Sequence, residues 1–166
     1  MRVALVIAAK ERGKTTLTKK LAHGIIKQAG AKGVHLRLLV YDTTGQWGVP
    51  YERWEAFAER MIDARNAVVV IEEATARLNS RHYSNAVEDA FIAARHHRCA
   101  FFLMFHSLRS VPEYLLNLTD DIYFMRTNDN PGTVARNYTK WPAIYDAWSR
   151  AQTAPKYTPV HVAIDG

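Results

Sequence analysis

The 166-residue sequence holds a single cysteine, Cys99, so an intramolecular disulfide is excluded and a reducing compartment is the simplest setting. It has no apolar run long enough to span a bilayer, and the opening MRVALVIAAK is too short for a secretory signal before it runs into GKT. Repeats, low-complexity segments and internal domain boundaries are missing as well, so one domain over 1–166 with one core is expected. Acidic residues fall short of basic ones, 16 against 22, and the net charge of +6 favours a polyanionic partner such as nucleic acid. Many soluble proteins share that balance, so it only permits such a partner. A soluble intracellular protein is the expectation.

One more absence is local. The stretch VIAAKERGKTTL ends like a phosphate-binding loop, G-x-x-x-x-G-K-[ST], with Gly13, Lys14 and Thr15 in the last three places, but Ala8 stands where the first glycine belongs. Alanine is the smallest residue with a Cβ, so this exchange disturbs the loop least. The context is also right. Val3 to Ile7 form a β-branched-rich run before the loop, and Leu17, Leu21, Ile25 and Ile26 recur at helical spacing over 15–29. A strand feeding a turn into a helix leaves free backbone N–H groups and a positive dipole end aimed at one spot. Ala9, Lys10, Glu11, Arg12, Gly13, Lys14, Thr15 and Thr16 are therefore the expected nucleotide-binding loop, with Lys14 reaching the β- and γ-phosphates and Thr15 holding Mg²⁺. Lys10 and Arg12 add charge that either contacts phosphate or is solvated.

Further along, VHLRLLVYD reads as a strand ending at Asp42, followed by a turn with Gly45 and Gly48. A surface helix is expected over 51–65, a helix over 84–95 and a short one over 112–118. AVVVIEEA, CAFFLMF and DDIYFMR are strand candidates, the middle one ending at His106. In the tail, a helix over 142–151 and a late strand in KYTPVHVAI are expected, and NDNPGTVARNY has no regular pattern. Apolar strands alternating with helices predict a three-layer α/β sandwich on a mainly parallel sheet.

In VVVIEEA the polarity switches abruptly after four aliphatic residues, which puts Glu72 and Glu73 at the carboxyl edge of a strand, where open parallel sheets bind ligands. Nucleotide hydrolysis uses one carboxylate for the metal's water shell and one for the attacking water. Glu72 fits the Mg²⁺ position and Glu73 the catalytic one; an isolated pair would otherwise only cap a strand. Asp42 either touches the metal shell or caps a turn. Trp47, Trp54, Trp141 and Trp148 read as core and interface aromatics before base-stacking platforms, although the basic charge keeps stacking open.

With the loop, the EE strand, YDTTGQW, RHHRCAFFLMFHS and DDIYFMRTND together and in order, the chain resembles the FtsK/HerA superfamily of P-loop ATPases over about residues 1–130, and within it the small genome-packaging ATPases of viruses and phages. The resemblance implies a five-stranded RecA-like (ASCE) core, with 131–166 as an extension and the fourth strand between the loop strand and the carboxylate strand. It implies His106 as a γ-phosphate sensor, where the family usually has Gln or Asn. It also implies an arginine donated in trans within a homo-oligomeric ring, with Arg95 and Arg98 as matching positions and Arg81 as a third. A metal cluster in RHHR is disfavoured, since adjacent histidines point apart on a helix.

On that likeness the expected function is an ATP- and Mg²⁺-dependent motor subunit. It would assemble as a pentamer or hexamer and move double-stranded DNA into a capsid through a portal or vertex protein, in the host cytoplasm if viral. The rivals are a filamentous-phage assembly ATPase of the zonula occludens toxin type, a small nucleoside or metabolite kinase, and a non-hydrolysing nucleotide- or DNA-binding module. The first of these carries a membrane span, and kinases need no second glutamate for water.

Overall fold

A computed structural model describes residues 2–78, 85–94 and 96–164, apart from the side chains of 85 and 86. Its strands are β1 (Val3–Ile7), β2 (Arg37–Tyr41), β3 (Ala67–Ile71), β4 (Cys99–Phe105), β5 (Asp121–Phe124) and β6 (Val160–Ala163). They form one sheet in the order β2-β3-β4-β1-β5-β6, with β6 antiparallel to β5 and every other pairing parallel. The fourth strand does lie between the loop strand and the carboxylate strand. The late strand expected in KYTPVHVAI joins the five core strands as a sixth.

The helices are α1 (Lys14–Gly30), α2 (Trp54–Ile62), α3 (Ala74–Arg77), α4 (Asn85–Ile92), α5 (Glu113–Leu118), α6 (Pro131–Asn137) and α7 (Pro142–Thr153). Parallel neighbours need crossovers, and these helices supply them on both faces. Alternation along each strand sorts the side chains. Val3, Leu5 and Ile7 join Phe57, Met61, Phe91, Leu115 and Trp148 on one face. Ala4, Val6 and Ala8 meet Ala22 of α1, with Leu17, Leu21, Ile25 and Ile26 packed alongside, on the other. β1, β3 and β4 are buried throughout, which is why they read as continuous apolar runs, whereas the edge strands β2 and β6 are partly exposed. The result is the three-layer α/β sandwich.

Several elements differ from their sequence patterns. The helix expected over 51–65 is shorter and not confined to the surface: Phe57 and Met61 in α2 are fully buried, and Phe57 packs against the Tyr41 and Trp54 rings. The late strand covers only the second half of KYTPVHVAI, because Thr158 N–H donates to the Pro155 carbonyl at 3.0 Å and closes a turn before Pro159. NDNPGTVARNY contains α6, capped by Asn130, whose side chain accepts from Thr133 N–H at 3.2 Å, with proline in the first turn. Of the four tryptophans, Trp148 is a core residue that donates to Thr127 Oγ1 at 2.9 Å, and Trp54, Trp141 and Trp47 are partly buried at the margins. No described helix is long and apolar enough to cross a membrane.

Candidate active site

The loop after β1 is built as a strand-to-helix turn with two left-handed positions, Glu11 at φ 59° and Gly13 at φ 87°. Ala8 has no positive φ and is fully buried, with its N–H donating to the Phe105 carbonyl at 3.1 Å. The place where the motif usually has glycine makes no left-handed demand here, so alanine fits without strain. Gly13 caps α1 with no side-chain bond and no acidic residue follows in the first turn, so the helix's first N–H groups are left for an anion.

Lys14 opens the helix and is buried. Its Nζ donates to the Ala8 carbonyl at 3.0 Å and contacts His106 Nδ1 at 3.0 Å. An ammonium has only donors, so Nδ1 must accept and the histidine proton sits on Nε2. That nitrogen faces Glu73 Oε1 at 3.2 Å. Lys14, His106 and Glu73 thus form one hydrogen-bonded chain across the carboxyl ends of β1, β4 and β3. Burial lowers the Lys14 pKa, against the raising influence of Glu73 and Glu72.

A second cluster adjoins it. Thr15 Oγ1 donates to Glu72 Oε1 at 2.7 Å, and Thr44 Oγ1 lies 2.8 Å from Glu72 Oε2 and 2.9 Å from Asp42 Oδ1. Asp42 also accepts from the backbone N–H groups of Thr44, Gly45 and Trp47 at 2.8, 2.9 and 2.6 Å. Burial would raise the Asp42 pKa, but hydrogen bonding to Glu72 and to these donors holds it at about 2. Burial, and next the neighbouring Asp42, push Glu72 upwards instead, against the Thr15 and Thr44 hydroxyls. Asp42 is therefore both turn cap and neighbour of Glu72. The oxygens of Thr15 and Glu72 suit a hard cation that keeps waters and shares phosphate oxygens, as Mg²⁺ does. Among the described residues no group of three or more His, Cys, Asp or Glu could hold a metal by itself.

A cleft of about 930 Å³ joins both clusters. Ala9, Lys10, Glu11, Gly13, Lys14, Thr15, Thr16, Glu72, Glu73 and His106 line it, so the structure brings together nearly every site residue expected from the sequence. Arg12 is not among the lining residues. Arg98 precedes β4 and so stands at the amino edge of the sheet, roughly 25 Å from His106 at about 3.3 Å per strand residue. Arg95 and Arg81 lie outside the described residues. Thr44 and Tyr157 are among the lining residues that the sequence reading does not single out. Thr44 was inside the quoted YDTTGQW and could have been found as a hydroxyl two residues after a strand-end aspartate. Tyr157, beside Gly13, has no local signal at all.

Strand order, loop geometry and cleft define a P-loop NTPase fold of the RecA-like type. Within that class the chain is similar to the genome-packaging NTPase B204 from Sulfolobus turreted icosahedral virus 2 in complex with ATP-gammaS, at a TM-score of 0.75 and 16% identity over 99% of this chain and 92% of that one. The same protein in complex with AMPPCP gives a TM-score of 0.77 at 16% identity, over 98% and 92%. The N-terminal domain of zonular occludens toxin from Neisseria meningitidis is a more distant likeness, at a TM-score of 0.55 and 12% identity, covering 82% of this chain and 90% of that one. No protein-family model matches the sequence, and no curated protein matches it.

Proposed function

We propose that this protein is an ATPase subunit of a homo-oligomeric ring, pentameric or hexameric, that moves double-stranded DNA into a viral capsid from the host cytoplasm. The observation that carries the reading is the chain Lys14–His106–Glu73 beside the Thr15–Glu72 pair in one cleft. That set combines a phosphate grip, a metal position and a base for water, the three parts phosphoryl transfer to water requires. A fold likeness to a packaging NTPase over nearly the whole chain supports the biological role.

In this reading the uncapped N–H groups of the loop and Lys14 hold the phosphates, and Thr15 with Glu72 holds Mg²⁺, which supplies charge neutralisation when bound. Glu73 takes the proton of the attacking water and His106 orients that carboxylate through Nε2–H; His106 acts as the γ-phosphate sensor when that single N–H swings from Glu73 to a phosphate oxygen. Arg98, too far to serve its own cleft, is assigned to a neighbour's, with Arg95 and Arg81 as the other arginines that could act in trans. Residues 131–166 are read as part of the same domain, because β6 completes the sheet of the core. DNA contacts are assigned to Lys and Arg on phosphates, with a portal or vertex protein as the capsid partner.

The test is phosphate release by the full chain with and without double-stranded DNA, run beside a panel of nucleosides and metabolites, and a mass measurement with ATP analogue and DNA. DNA-stimulated hydrolysis and a discrete ring are expected. Phosphorylation of a small acceptor would replace the motor with a kinase, and nucleotide binding without turnover would leave a binding module. Stimulation by a membrane-bound phage assembly partner instead of DNA would favour the toxin-type reading, which the second fold likeness raises.

A further inference from the structure

The strand order divides the cleft into two ends. Glu72, Glu73 and His106 follow β3 and β4 on one side of β1, whereas β5 and β6 lie on the other. On the proposed function, which this inference rests on, the carboxylates fix where the terminal phosphate sits. The nucleoside must therefore leave the loop toward β5 and β6. The lining residues on that side are Met125, Tyr157 and Pro159.

Tyr157 is unusual there. It occupies the third position of the turn closed by Thr158 N–H and the Pro155 carbonyl, with φ 68°. A type II turn wants glycine or asparagine at that place, and a bulky residue with positive φ is an outlier. Burial does not account for it, since the side chain leaves the residue 58% exposed. The ring does lie against the loop: a Cβ on Gly13 would stand 3.0 Å from Tyr157 Cδ1, closer than side chains pack. Lys156 Nζ hovers 4.8 Å from the ring centroid, a weak contact at an exposed site that an incoming aromatic group displaces.

We infer that Tyr157, held in a left-handed turn against Gly13 at the β6 end of the cleft, is the platform on which the nucleobase stacks. A strained, exposed aromatic beside a phosphate-binding loop places a flat apolar face next to the first N–H groups of α1. Every base has a π-face, so such a platform adds affinity without choosing between adenine and guanine.

Calorimetric titration of the full chain with ATP, GTP and inorganic tripolyphosphate, each with Mg²⁺, tests this. Tyr157→Ala and Tyr157→Gly are expected to weaken ATP and GTP by roughly 5- to 150-fold, the range of an aromatic–base stack, and to leave tripolyphosphate within about twofold. Tyr157→Trp is expected to retain ATP affinity, with added indole emission that ATP quenches and tripolyphosphate does not. Tyr157→Gly should melt no lower than the parent, because glycine relaxes the left-handed turn. ATP binding unchanged in Tyr157→Gly would overturn the platform alone. Equal weakening of ATP and tripolyphosphate would also overturn it, leaving Tyr157 as a buttress of the loop. If the parent chain binds neither ligand, the nucleotide site falls first and the platform with it.

Discussion

Lys14 and Glu73 do not touch: His106 stands between them, accepting from the lysine at Nδ1 and presenting Nε2 to the carboxylate, at 3.0 and 3.2 Å. The group assigned to phosphate and the group assigned to water are thereby held in register by one imidazole. Each part of that relay can be removed separately.

Lys14→Ala is expected to abolish nucleotide binding, read by calorimetry, since it deletes the cation buried at the loop. Glu73→Gln keeps the size and most contacts of its parent but cannot take a proton. It should bind ATP as the parent does and lose turnover by roughly 10²- to 10⁴-fold. Unchanged phosphate release in Glu73→Gln would remove the carboxylate from the chemistry.

His106→Ala breaks the relay without deleting either end. Affinity for ATP should stay within a few-fold while kcat falls about 10²-fold, the scale of a displaced catalytic group. His106→Gln, which can still accept and donate, should recover part of the loss. A variant whose KM rises at constant kcat would mean that His106 only binds substrate.

Glu72 is protonated at a higher pH than an ordinary glutamate, owing to burial and then to Asp42. Below that pH it is a neutral acid and a poor metal ligand. Apparent Mg²⁺ affinity in the ATPase assay should therefore fall as pH is lowered, starting above the usual glutamate range. Thr44→Val removes a hydroxyl that opposes the shift, so the fall should begin at still higher pH. A Mg²⁺ dependence flat over the same range in both proteins would show that Glu72 is not at the metal.

Asp42 titrates at about 2 when folded, below its reference of 3.8, so its stabilising effect is present above pH 4 and lost as pH falls through 2. Asp42→Asn loses charge-assisted bonds from three backbone N–H groups and should lower the melting temperature by a few degrees at pH 7, and by much less near pH 2. Equal losses at both pH values would point to packing instead of charge.

The parts of the site that are contiguous in the chain were legible before any coordinates. GKT after an apolar strand, EE after another and a histidine ending a third each carried its own local signature, and parallel-sheet topology delivers such strand ends to one edge. The loop's missing glycine looked like damage in sequence; only the backbone angles of Ala8 reveal that nothing left-handed is needed there. Thr44 carries only a faint signal, a hydroxyl two residues after a strand-end aspartate, and Tyr157 carries none. Their roles depend on what β3 and β6 place beside them: the contact of Thr44 with Glu72 is a product of the fold, and no spacing within APKYTP encodes the approach to Gly13. The tail followed the same rule, since Pro131 and Asn130 mark α6 by capping alone while its apolar pattern is too sparse to read.

The antiparallel sixth strand has a temporal consequence during synthesis. Gly13 leaves the ribosome early, yet the turn that rests on it is made some 140 residues later, at Pro155–Thr158. A nascent chain can shape its loop and both glutamates well before that turn exists. With Tyr157 as the proposed base platform, full grip on a nucleoside waits until the polypeptide is nearly finished, and a half-made subunit would compete poorly for cellular nucleotide.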